Sequence, residues 1–158
     1  MLLPFLLSAV LALPTGTIEG SISPPDKIKF SKPVQVVVFS GKYVNVYLAD
    51  VQKRVDNYWE EFRLAFIQDK EAFLLFRDRA QIQAMELTLN QMRQDDPGNL
   101  AKFVHSTSNN TFEFRAVPLG ECKVVALVTI GNQEYIWSDS VILTEETPAL
   151  VVLKPTNP

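Results

Sequence analysis

Between Lys42 and Asp96 the chain has neither glycine nor proline, while all six glycines and all ten prolines of its 158 residues lie outside that stretch. The two strongest interrupters of regular backbone are therefore absent from a long central segment. Helix formers (Ala, Leu, Glu, Gln, Lys, Arg, Met) dominate it. Asp50 offers a helix start, and Asp95-Asp96-Pro97-Gly98-Asn99 is a strong stop. A helical unit over about 45–96 is expected, set between two flanks of different character.

At 100° per residue, Val51, Val55, Tyr58, Phe62, Phe66, Phe73, Phe76, Ala80, Ala84 and Leu87 fall on one face, with Trp59 at its edge. From Leu64 onward a second apolar stripe runs on the opposite side: Ile67, Leu74, Leu75, Ile82, Met85, Leu89 and Met92. A helix apolar on two faces needs two covers. One continuous helix of ~45 residues would be about 68 Å long. That exceeds strands of roughly 20 Å, so it would project as an arm whose second stripe pairs with another chain. The alternative is a helical hairpin with its turn between Gln68 and Arg79, which the second stripe and the lack of a shelf for the overhang favour. The insert is thus the expected interaction surface, through the stripe of Leu74, Leu75, Ile82, Met85, Leu89 and Met92: on a continuous helix the stripe pairs with a protein partner or a second copy, and in a hairpin that buries it the chain is monomeric.

The flanks read as strands. Phe112 and Phe114 alternate on one face, and Val124 and Ala126 do so after the Pro118-Leu119-Gly120 turn. Gly16-Thr17-Ile18-Glu19-Gly20-Ser21-Ile22 and Pro33-Val34-Gln35-Val36-Val37-Val38-Phe39 are two further strands, and Ala149–Leu153 is a last one. In this order and spacing, with Thr107-Ser108-Asn109-Asn110-Thr111 as the turn before Phe112, these segments resemble carboxypeptidase regulatory-like (transthyretin-like) β-sandwich domains. The chain departs from that pattern at Asn110, where the family prefers Gly, and at Cys122, where it usually has Tyr. Asn accepts the left-handed conformation almost as well as Gly. The resemblance covers roughly 16–40 and 103–154. It implies a mainly β fold, an Ig-like or prealbumin-like antiparallel β-sandwich carrying a long helix or helical hairpin, and a domain with no chemistry of its own.

One domain is the default at this length. The net charge of −3 comes with no basic stripe, which argues against nucleic acid or an anionic membrane surface as partner. The apolar run Leu2–Leu13 has the length of a signal-peptide core and is too short to span a bilayer. Val10-x-Ala12 offers the small-residue pattern a signal peptidase accepts, although no Lys or Arg precedes the run. The reading is a signal-like segment 1–13, then a single domain 14–158, secreted or periplasmic, with no transmembrane span once the segment is removed.

Chemistry is sparse. Cys122 is the only cysteine, so it forms no intramolecular disulfide and reads as a small core side chain. Asn109-Asn110-Thr111 is formally a glycosylation acceptor. His105 is the only histidine. Two enzyme families that share the sandwich, the ring-cleaving intradiol dioxygenases and the hydroxyisourate hydrolases, each need more than one. Glu60-Glu61 and Glu145-Glu146 read as solvated charge, and Asp95-Asp96 with Asn99 lacks the ligand alternation of a calcium loop. No residue set here requires a metal or cofactor, and a non-enzymatic binding or scaffold module is expected. One ligand feature stands out. After the Gly131-Asn132 hairpin turn, Tyr135 and Trp137 share a strand face opposite Ile136. Exposed, the pair would be a platform for a sugar ring, the alternative reading. Turned to the insert or the other sheet, it is core.

Overall fold

The computed structural model describes residues 13–25 and 28–155. The signal-like segment therefore lies outside the described residues except for Leu13. The elements are β1 (Thr15–Ile22), β2 (Val34–Ser40), α1 (Lys42–Gln68), α2 (Lys70–Asp95), a 3-10 turn (Leu100–Phe103), β3 (Val104–Thr107), β4 (Thr111–Pro118), β5 (Gly120–Ile130), β6 (Gln133–Leu143) and β7 (Ala149–Leu153). Helix and strand claim nearly equal shares, so the mainly β expectation is corrected. The helical insert has about the expected extent, with α1 starting directly after Gly41, at φ 56°, which turns the chain out of β2. What shifts the balance is that much of the chain outside it lies in turns and irregular connections, not in strands.

The strands form two sheets, ordered β4-β1-β7 and β3-β2-β5-β6. They face each other across one core: Ile18, Phe112, Phe114 and Val151 from the smaller sheet meet Val36, Val38, Val124, Ala126 and Trp137 from the larger. The predicted alternation of Phe112 and Phe114, and of Val124 and Ala126, points into this layer. The arrangement is sandwich-like but not wholly antiparallel, since β7 pairs with β1 in parallel from Ile18–Ala149 to Ile22–Leu153. Gly16 lies against Leu143 and Thr144, so the chain leaves β6 at the end where β1 begins, and β7 starts alongside it in the same direction.

A second core lies on the outer face of the larger sheet. Val37, Phe39, Val125 and Ile136 pack there against Val44 and Tyr47 of α1 and Ile82, Met85 and Met92 of α2. The insert is a hairpin. Its turn is Asp69, in extended conformation (φ −136°, ψ 99°), whose side chain accepts hydrogen bonds from the N–H groups of Glu71 (3.0 Å) and Ala72 (3.3 Å) and so caps α2. The first apolar face forms the seam between the helices: Tyr58 and Phe62 sit 4.9 and 5.0 Å from Phe76, and Phe66 lies 5.4 Å from Phe73. At the open end of the hairpin Asp95 accepts from Tyr43 Oη (2.8 Å) and pairs with Lys42 (3.0 Å). No helix among the described residues is long and apolar enough to cross a membrane.

This geometry corrects the partner assignment of the second stripe. Ile82, Met85 and Met92 are buried against the chain's own sheet, and Leu74 and Leu89 are half-buried. Only Leu75, 67% exposed, stays open, together with Leu64 and Ile67 near the turn. The reason is reach. At 27 residues α1 is about 40 Å long, and its part beyond Tyr58 overhangs the sheet, so stripe residues near the open end find cover and those near the turn do not.

The close approach of the smaller sheet's strands depends on Gly20. A Cβ there would meet Phe112 Cζ at 2.2 Å and the Val151 carbonyl oxygen at 2.7 Å. Gly20→Ala is therefore expected to cost roughly 1–3 kcal/mol in chemical denaturation, the usual range for overpacking. Two stripe positions give a contrast on α2. Ile82→Asp places a carboxylate in the buried layer and should lower the denaturation midpoint sharply, while Leu75→Asp should stay within about 0.5 kcal/mol of wild type. Equal effects at the two positions would show that the hairpin does not pack on the sheet as described.

Candidate ligand-binding groove

Sheet edge, helix and turn meet in a groove of about 690 Å³ between α2 and the first half of β6. The Gly131-Asn132 turn, with Gly131 at φ 62°, delivers the chain into β6 so that Asn132–Trp137 form its floor. Leu75, Phe76, Asp78, Arg79 and Ile82 of α2 make one wall, and Pro25 and Pro155 the other. The size is that of an ordinary small-ligand site.

The polar groups are unevenly satisfied. Asp78 Oδ1 is buried without a hydrogen bond, and Arg77 Nη2, its nearest cation, is 3.6 Å away. Arg77 Nε and the Tyr47 hydroxyl are likewise buried and unpartnered. Burial pushes the Asp78 carboxyl above its ordinary range, with Arg77 pulling it back in part. Burial, and secondarily the Asp78 charge, raises the Tyr47 phenol as well. Sequence reasoning missed Asp78, yet a signal was there. It stands four residues from both Leu74 and Ile82, a charge within an apolar stripe.

The expected aromatic pair is divided by burial. Tyr135 and Trp137 stack at 6.3 Å and 24°, but Trp137 is only 2% exposed and lies edge-on to Phe30 at 5.5 Å in the intersheet core. The two-ring platform is thus corrected. Odd-numbered residues of β6 turn toward the other sheet, and the deeper of the two rings is covered by it. Tyr135, half-buried, lines the groove. Of the interaction stripe, Leu75 and Ile82 reach the groove, and Leu74, Met85, Leu89 and Met92 do not line it.

The other residues singled out in the sequence lie elsewhere. His105 is exposed, its ring edge-on to Phe114 at 6.2 Å on the opposite side of the sandwich. Asn110 takes φ 61°, the left-handed conformation expected of it. Cys122 is fully buried in the intersheet core, where burial pushes its thiol up to about 11. Among the described residues no cluster of three or more His, Cys, Asp or Glu side chains could hold a metal ion.

No protein-family model matches the chain, and no curated protein matches it in sequence. A crystal structure from Pseudomonas aeruginosa, of a protein provisionally described as carbohydrate-binding, aligns over 92% of each chain with 14% identity and a TM-score of 0.39. So loose a likeness carries no weight for fold or ligand.

Two outcomes follow from the charges. The raised Asp78 value means that the ionised carboxylate opposes folding above that value, and that the penalty fades as pH falls and the group protonates in both states. Asp78→Asn should therefore stabilise the protein at neutral pH, with the gain shrinking toward pH 4 in paired melts. The Cys122 thiol should resist a disulfide reagent at pH 8 in the native chain and react promptly once the chain is unfolded.

Proposed function

We propose that this chain is a non-enzymatic, extracytoplasmic binding module of the carboxypeptidase regulatory-like type, with the groove between α2 and β6 as its ligand seat. The observation that carries the reading is the groove itself, which combines the apolar side chains of Leu75, Phe76 and Ile82 with a few polar groups, among them Asp78, whose Oδ1 makes no hydrogen bond and has Arg77 3.6 Å away. A few polar groups set in a mostly apolar concavity are what orients a ligand. The non-catalytic part is supported by a single histidine far from the groove and a buried thiol raised to about 11. The extracytoplasmic part is supported by the apolar run Leu2–Leu13. The family assignment rests on the sequence pattern of Gly16, Gly20, Asn110, Phe112 and Phe114.

A carbohydrate ligand is the second reading. It is favoured by the Tyr135 ring on the groove wall beside Asn132, Gln133 and Glu134, whose amide and carboxylate groups match sugar hydroxyls. It has one ring to stack on where two were expected.

The address is tested by sequencing the amino terminus of protein recovered outside the cytoplasm, which should start close to Leu13. Retention of Met1 on cytoplasmic protein would overturn it. The ligand seat is tested by titrating neutral oligosaccharides into isotope-labelled protein. The carbohydrate reading expects amide shifts centred on Glu134 and Tyr135 and loss of binding in Tyr135→Ala. Shifts elsewhere, or none, end that reading.

A further inference from the structure

The turn from β3 into β4 crosses from the larger sheet to the smaller. It holds Asn109, the only asparagine of the chain with a Ser or Thr two residues on and no proline between. That spacing, completed by Thr111, is the acceptor pattern for N-linked sugars. Three residues recur by chance, so the pattern alone decides nothing. What distinguishes this copy is how the fold presents it.

Two threonines close on Asn109 from either side. Its Oδ1 accepts from Thr107 Oγ1 (2.8 Å), from Thr111 Oγ1 (2.8 Å) and from the Thr111 N–H (3.2 Å). This is an Asx turn reinforced by two hydroxyls. Among the described residues the hydrogen bonds of this carboxamide all fall on its oxygen, which leaves Nδ2 as the open end of an exposed side chain. The turn is pinned as well, because the Asn110 carbonyl, at φ 61°, accepts from the Ile22 N–H at 2.8 Å. Beside it lies a hollow of about 510 Å³ that has Asn109 itself among its walls. Glu19, His105, Thr111 and Glu113 line the same hollow, and each can hydrogen-bond to sugar hydroxyls.

The donors also suit the chemistry. An amide nitrogen shares its lone pair with the carbonyl and attacks only as it gives up a proton, when negative charge gathers on the oxygen. Donors already aimed at that oxygen stabilise the charge where it develops.

We propose that Asn109 Nδ2 carries an N-linked glycan, received from a diphosphate-activated oligosaccharide and lying over the hollow beside His105. In the transfer a bond forms from Nδ2 to C1 of the first sugar. The C1–O bond to the diphosphate breaks, the diphosphate leaves with the electron pair, and the Nδ2 proton passes to a base of the transferase. The assignment rests on the extracytoplasmic address proposed above, because this acceptor pattern is used on secreted chains.

The test uses the chain as its own source makes it, recovered whole and then cut with trypsin. The peptide 103–115, bounded by Lys102 and Arg115, contains Asn109. Its mass should exceed that of the bare sequence by a set of sugar residues. Electron-transfer fragmentation should place them on Asn109, not on Ser106, Thr107, Ser108, Asn110 or Thr111. Thr111→Val, made in the same source, should abolish the addition, and Thr111→Ser should keep it. Amino-terminal sequencing of the same sample separates this proposal from the address it rests on. A chain that starts close to Leu13 with Asn109 unmodified overturns the glycan and leaves the address standing. An unmodified cytoplasmic chain that retains Met1 overturns both. Sugars that persist in Thr111→Val, or that map to another residue, also overturn the assignment.

Discussion

Val36, Val37, Val38 and Phe39 are completely buried, and a strand that is apolar on both faces needs a cover on each. The smaller sheet covers one face of β2 and the helical hairpin covers the other. Everything else in the architecture answers that demand. β5 pairs with β2 and shares the burden, with Val124 and Ala126 turned to one cover and Val125 to the other. The same rule holds in parallel sheets buried between helix layers, whose strands read as unbroken apolar runs. Here a sandwich on one side and helices on the other produce it in an antiparallel pair.

Much of this was legible in the sequence because the patterns have different periods. Alternation at Phe112–Phe114 and helical spacing through Tyr58, Phe62, Phe66, Phe73 and Phe76 each name their own element and its buried face. Tertiary facts were less accessible. The turn at Asp69 carries neither Gly nor Pro, because an extended residue followed by its own side-chain cap needs neither. The parallel β1–β7 pair follows from where β6 ends in space, which no local pattern encodes. The second stripe on α2 looked like an interface because its composition cannot distinguish the chain's own sheet from another molecule.

The groove is where sequence and structure agree least, for a physical reason. Helical periodicity rates Asp78 as an error in an apolar stripe, and in the fold it is half-buried, with Arg77 3.6 Å from its buried Oδ1 and with Arg77 Nε and the Tyr47 hydroxyl left without hydrogen bonds. Unpaired buried polar atoms cost stability. Sequence reasoning placed ligand recognition on Tyr135 and Trp137 by their shared face. The covering sheet took Trp137 into the core and left Tyr135, so the site moved toward the strand's edge.

An open strand edge is a hazard as well as a resource, since unpaired peptide groups recruit any extended chain. Two of the other three edge strands keep that hazard small by being short. β3 and β7 are only four and five residues long. β6 is eleven residues long, and its first half carries a charge, with Glu134 exposed on the edge. A second copy of β6 pairing there would bring another Glu134 close to the first, and like charges facing each other across a strand pair are destabilising. One charged residue on the open edge thus discourages self-association, as charged side chains do on the edges of natural sheets.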